Sequence, residues 1–189
     1  MATQISDKSD PDSYYCPTPK QMSHRLVMTR AFKRGWKCIP GDVTTAFLQA
    51  DLLLDDDTVV FIIPPETETG GRKVLWKVSK AVYGLRASPK YFNVHFGKVV
   101  YSLGWRRTKC EPQLFFNPRF KGALMSVHTD DILATASNRD MPILQAEIQK
   151  VLQLRWEEPL GEQWQKFLGV EWQLTSKGIK CRVPRKYVE

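Results

Sequence analysis

The sequence predicts an α+β fold, an antiparallel sheet with two helices packed on one face, and three observations carry that prediction. Phe92, Phe96, Val99, Val100 and Leu103 recur at helical spacing, and Leu144, Ile148, Val151 and Leu152 form a second such stripe between about Asp140 and Leu154. Between the stripes, residues 124–135 are β-formers interrupted by Asp130-Asp131, which reads as a hairpin with two carboxylates at its tip. Ahead of both, Trp36 to Asp42 is strand-like. The order strand, helix, hairpin, helix, strands satisfies a βαββαβ-like layout that sets Asp42 beside Asp130.

Residues 1–19 are rich in Ser, Asp and Pro without sustained periodicity and read as a flexible leader. Lys20 to Arg34 reads as a helix with a ragged apolar stripe, closed by Gly35 after two basic residues. Trp36 to Asp42 is the first core strand, where Pro40 suggests a bulge or an edge position. Thr44 to Ala50 turns away as a short helical piece, and residues 59–63 and 74–78 look like a strand pair around the loop 64–72. Ser88 and Pro89 fit the N-cap and first position of the helix that Gly104 closes. Strands follow at 114–116 and in the hairpin, then the second helix, and finally strands at 166–172 and 179–183.

With 189 residues, 42% of them hydrophobic, the chain can bury a core, and its length favours one domain, 20–189. The first residues lack the basic-then-apolar pattern of a signal peptide, and the longest apolar run, Val59 to Ile63, is too short to span a bilayer. An intracellular protein is expected, cytoplasmic or nuclear, with no membrane partner. Cys16, Cys38, Cys110 and Cys181 are scattered, so neither a zinc site nor a disulfide framework is suggested. The net charge of +8 is unevenly spread: ten Lys or Arg and no acid lie between Thr69 and Cys110, six more basic residues lie between Thr18 and Gly41, and acids gather at Asp51 and Asp55–Asp57. Such a surface favours a polyanion, most simply nucleic acid; an ordinary solvated basic face is the competing reading.

Asp is a common turn residue, so Asp130-Asp131 alone reads as a solvated turn. Asp42, at the end of another strand, changes that, because three carboxylates then meet at one sheet edge. Two like charges about 4 Å apart repel by roughly 4 kcal/mol at an effective dielectric of 20, so the cluster implies a bound cation. Carboxylate oxygens with room for water and phosphate suit Mg²⁺, and a pair of such ions can clamp the attacking and leaving oxygens of an in-line displacement. Phosphoryl transfer is the reaction class implied.

Four segments resemble the reverse transcriptase of copia-type long-terminal-repeat retrotransposons: Gly41-Asp42-Val43-Thr44-Thr45-Ala46-Phe47-Leu48, Ala81-Val82-Tyr83-Gly84-Leu85 with Pro89, Thr129-Asp130-Asp131-Ile132-Leu133, and Phe167-Leu168-Gly169-Val170-Glu171. They stand in family order and cover about Met22 to Tyr187. The resemblance implies a polymerase palm built on a ferredoxin-like sheet, in which Asp42, Asp130, Asp131 and the Val43 carbonyl bind two Mg²⁺, with Mn²⁺ as an alternative. It implies primer and RNA or DNA template as partners and dNTP as substrate. Phe47 matches the aromatic gate that leaves no space for a ribose 2′-hydroxyl; a core Phe is the competing reading. Gly84 matches a close backbone approach to the nascent base pair, and Arg86 a phosphate contact or solvated surface. His128 stands where relatives usually carry Tyr, near the primer terminus. Phe167, Leu168 and Gly169 match the hairpin that supports the primer end, against which stands a strand with a glycine bulge.

The family's basic fingers segment has no counterpart in residues 1–19, and no ribonuclease H sequence follows. A palm-centred piece of a longer polyprotein is expected. Two other classes compete. An inactive or domesticated nucleic-acid-binding module would use a basic sheet without turnover, but the stacking aromatics of an RNA-recognition signature are missing. A nucleotide cyclase would share the sheet, but its signature is also missing.

Overall fold

The computed structural model describes residues 14–52, 59–72, 74–184 and 187; most of the leader, the Asp55–Asp57 run and Lys73 lie outside the described residues. The elements are α1 (Gln21–Arg34), β1 (Cys38–Val43), α2 (Ala46–Gln49), β2 (Phe61–Ile62), α3 (Glu66–Thr69), β3 (Trp76–Lys77), α4 (Ser88–Ser102) and β4 (Arg106–Arg107). They continue with β5 (Leu114–Phe116), β6 (Leu124–His128), β7 (Asp131–Thr135), α5 (Met141–Gln149), β8 (Leu154–Trp156), β9 (Gln165–Phe167), β10 (Val170–Thr175) and β11 (Gly178–Arg182). The chain divides into two compact units, Met1–Cys16 with Thr45–Lys98 and Pro17–Thr44 with Val99–Glu189.

The larger unit is built on an antiparallel sheet of order β4-β5-β6-β7-β1-β8, beside a second sheet of order β11-β10-β9. Residues alternate across the main sheet. Cys38, Leu133 and Leu124 share one face, where they join Val27, Met28 and Ala31 of α1 and Phe167 and Trp172 of the second sheet in one buried cluster. The opposite face carries Ile39, Val43, Met125, Val127, Ile132 and Ala134, all buried. Both faces are therefore covered, and α1, the helix expected at Lys20 to Arg34, packs on one of them, where the predicted layout counted only two packed helices.

α1 ends as expected, with Gly35 left-handed at φ 61°. Its stripe reads as ragged because Ser23 and His24 lie on the buried side. Glu111 makes this tolerable for Ser23, whose hydroxyl donates to the carboxylate at 3.2 Å.

Several expectations are corrected. Pro40 lies in a central strand, flanked by β7 and β8. The Glu157 amide donates to the Pro40 carbonyl at 3.0 Å, and the return bond needs an N–H that proline lacks. Paired β1–β8 residues accordingly stop at Gly41. The second helix ends at Gln149, so Val151 is exposed rather than buried, and Leu154 opens the edge strand β8. Residues 166–172 are not one strand: Leu168 (φ 48°) and Gly169 (φ 76°) turn the chain between β9 and β10. Two left-handed residues in succession give the tight turn whose twist suits a hairpin.

In the smaller unit, β2 and β3 pair over two residues each, shorter than the apolar runs that predict them. α2 is tied to the chain that follows β3 by an Ala81-to-Ala50 backbone bond of 3.0 Å. Phe92 and Phe96, on the part of α4 that belongs to this unit, are buried as their spacing predicts. Among the described residues, no helix is long and apolar enough to cross a membrane.

His24 is only 6% exposed and stacks edge-on against Phe167 at 5.4 Å. Burial, assisted by His128 and opposed by Glu111, lowers its pKa to about 4. The unfolded chain binds a proton near pH 6.5 that the folded chain refuses until about pH 4, so stability is present above 6.5 and lost on acidification. Denaturant midpoints between pH 7 and 4.5 should show roughly 2 kcal/mol of loss that His24→Leu removes. An equal loss in the variant would place the acid-sensitive group elsewhere.

Candidate active site

The antiparallel registers place His128 opposite Asp131, Asp131 opposite Asp42, and Asp42 opposite Arg155. Directly opposed residues share a sheet face, so these four form one row across β6, β7, β1 and β8. The turn Thr129-Asp130 joins His128 to Asp131 beside this row, with Thr129 left-handed at φ 57°. The Val43 amide donates to the Asp130 carbonyl at 2.9 Å, which fastens β1 to that turn. Asp42 and Asp131 thus face each other as a non-hydrogen-bonded pair, whose Cα atoms stand about 4.5 Å apart. Asp42, Asp130, Asp131 and His128 are all half-buried.

Like charges directly opposed across strands are unfavourable. Asp131 shows the cost: burial first, then Asp130 and Asp42, hold its carboxyl above the usual range. No ion pair joins these three aspartates to a Lys or Arg among the described residues. In charge and in donor chemistry they fit a hard divalent cation. Among the described residues, however, no three His, Cys, Asp or Glu side chains close on a common point as a metal-holding group.

A concavity of about 250 Å³ adjoins the row, lined by Asp131, Gly41, Glu157, Lys166, Leu168 and Gly169 among others. Here the candidate primer residues divide. Phe167 is buried in the core against α1, so its ring anchors the hairpin, while Leu168 is half-buried and Gly169 is exposed at the turn. Glu157 and Arg155 escaped the sequence reading because β8 did. Gly41 also has a role that its sequence hides: a Cβ there would stand 2.8 Å from Cε3 of Trp156, whose ring lies over β1.

Phe47, Gly84 and Arg86 lie in the smaller unit. Phe47 is partly exposed and packs on Tyr83 at 4.7 Å and Phe92 at 6.3 Å, so it is neither fully core nor free. Gly84 is exposed with φ 95°, a conformation that favours glycine, and nothing lies within 4 Å of where a Cβ would be. Arg86 is exposed. Part of the basic stretch is engaged internally: Lys80 bonds Asp51 at 2.6 Å in this unit, and in the larger unit Arg106 and Arg107 donate to backbone carbonyls.

The sequence matches the family described as reverse transcriptase (RNA-dependent DNA polymerase) over residues 3–188. It is 30% identical over 125 residues to the Retrovirus-related Pol polyprotein from transposon RE1 of Arabidopsis thaliana, covering 66% of this chain and 8% of that protein. It is 26% identical over 136 residues to the Retrovirus-related Pol polyprotein from transposon TNT 1-94 of Nicotiana tabacum, covering 70% and 10%. A putative transposon Ty5-1 protein of Saccharomyces cerevisiae is 28% identical over 98 residues, covering 50% and 30%. The chain thus spans a tenth or less of the two Pol polyproteins.

Because the Asp131 charge is disfavoured in the fold, removing it should stabilise the metal-free protein. Asp131→Asn should raise the melting midpoint at pH 7 in chelator, because burial and the neighbouring Asp130 and Asp42 disfavour the charge it removes. A lowered midpoint would mean that the carboxylate is instead a satisfied structural acceptor.

Proposed function

Since the chain belongs to the reverse transcriptase (RNA-dependent DNA polymerase) family, we propose that it is the palm-centred polymerase domain of a copia-type retrotransposon polyprotein, spanning 20–189. It joins a deoxynucleoside triphosphate to a primer 3′-hydroxyl on an RNA or DNA template. The observation that carries this reading is the register that opposes Asp42 to Asp131, with Asp130 in the adjoining turn. The strand order β6-β7-β1-β8, with α4 between β1 and β6 and α5 between β7 and β8 along the chain, supports a palm.

Asp42, Asp130, Asp131 and the Val43 carbonyl would hold two Mg²⁺, or Mn²⁺, which supply charge neutralisation at the attacking and leaving oxygens. The chain's own share is positioning. β1 and the β6–β7 hairpin fix the carboxylates on one row. The Leu168-Gly169 turn supports the primer end, with Phe167 anchoring it and His128 in the place of the usual Tyr. Phe47, braced by Tyr83 and Phe92, excludes a ribose 2′-hydroxyl, while Gly84 and Arg86 contact the nascent pair and its phosphates. A basic surface that includes exposed Arg72, Lys77, Arg25 and Lys33 supports a nucleic-acid partner. The setting would be intracellular, in a particle or the nucleus.

Primer extension on an RNA template decides the main reading. Wild-type chain should extend in Mg²⁺, and Asp130→Asn should fold but not extend. Tight primer-template binding with no extension by the wild type would instead favour a non-catalytic binding module. Phe47→Ala should raise the ratio of ribo- to deoxynucleotide incorporation by about tenfold or more. An unchanged ratio would make Phe47 a packing residue only.

A further inference from the structure

Arg155 is the cationic end of the carboxylate row. It pairs with Asp42 in the β1–β8 ladder. Bonds from Thr44 N–H to Gln153 and from Glu157 N–H to Pro40 alternate along that ladder and make Asp42–Arg155 a hydrogen-bonded pair, about 5.5 Å between Cα atoms. β8 is the sheet edge, and Arg155 is exposed there. No ion pair engages it among the described residues. Arg155 therefore stands one strand from the metal-binding carboxylates and is accessible to an incoming anion.

We propose that Arg155 is a binding residue for the phosphate tail of the incoming deoxynucleoside triphosphate. The proposal rests on the polymerase reading and extends it. Three carboxylates contribute −3 and two divalent ions +4, so a triphosphate with roughly four negative charges leaves the assembly anionic, and a guanidinium with several donors suits that deficit. The surroundings favour the nucleotide over the primer-template backbone. The concavity formed with the Leu168-Gly169 turn does not include Arg155. Arg155 also borders an open groove of about 500 Å³ against α5. Leu154 and Trp156, which line that groove, pair with Val43 and Gly41 and lie on the other face of the sheet from Asp42, so the proposed phosphate contact is on the Asp42 face and not in that groove.

Two equilibrium measurements test this without turnover. The first is binding of the complementary deoxynucleoside triphosphate to the chain on a chain-terminated primer-template in Mg²⁺; the second is binding of the primer-template alone. Arg155→Gln should weaken nucleotide binding about ten- to hundredfold, the range for a lost charge-assisted hydrogen bond, and leave primer-template affinity within about twofold. Arg155→Lys should recover part of the loss, because it keeps the charge and loses the fork. Unchanged nucleotide affinity in Arg155→Gln, beside a wild type that binds nucleotide and extends primers, would overturn this assignment alone. A parallel fall in primer-template affinity would also overturn it and assign Arg155 to the nucleic-acid backbone. A wild type that neither binds the nucleotide nor extends a primer would remove the polymerase reading and this proposal with it.

Discussion

β1 is held on both edges, by β7 from Cys38 to Asp42 and by β8 from Gly41 to Val43, and this double pairing fixes what the larger unit can do. Strand side chains alternate with a period of two, so a slip of one residue would send Asp42 to the opposite face and bring Gly41 or Val43 into the row. The register is protected by burial on both faces. Cys38 and Leu133 belong to the cluster under α1, and Ile39, Val43 and Ile132 are buried on the other side. A slip would have to expose both sets. Trp156 adds a steric constraint, because its ring fits over β1 only where Gly41 lacks a side chain.

The same arrangement places an unfavourable feature on a stable frame. Three half-buried carboxylates at one sheet end lack basic ion-pair partners among the described residues, and the raised Asp131 pKa reflects that strain. Groups arranged this way cost stability in the free protein and become favourable with a cation, which is the usual relation between a binding site and its scaffold. Compensation lies nearby in the core. Phe167, Trp172, Leu160 and the α1 residues bury apolar surface under the sheet, and Phe167 at the same time fixes the turn that lines the concavity beside Asp131.

Chain order and chemistry separate within the molecule. The carboxylates, the Leu168-Gly169 turn and Arg155 belong to one compact unit, whereas Phe47, Gly84 and Arg86 belong to the other, although Asp42 and Phe47 lie five residues apart in sequence. The Phe47–Tyr83 contact joins the two sequence motifs of the smaller unit, so residues that read as separate signals pack against each other.

By itself the sequence determined the features governed by local rules. The hairpin tip at Asp130-Asp131 follows from β-formers on both sides, the Gly35 cap from a left-handed position that glycine adopts at low cost, and the buried Phe92 and Phe96 from helical spacing. The family, too, was legible from four short motifs. Tertiary structure alone decided the rest. Pro40 sits in a central strand because the ladder toward β8 ends at its missing N–H. The ragged stripe of α1 is sound because Glu111, far along the chain, receives Ser23. β8 is three residues of no marked pattern, made a strand by pairing with β1, and only that pairing sets Arg155 opposite Asp42. Register between distant strands depends on how whole faces pack, and no local window of sequence contains that information.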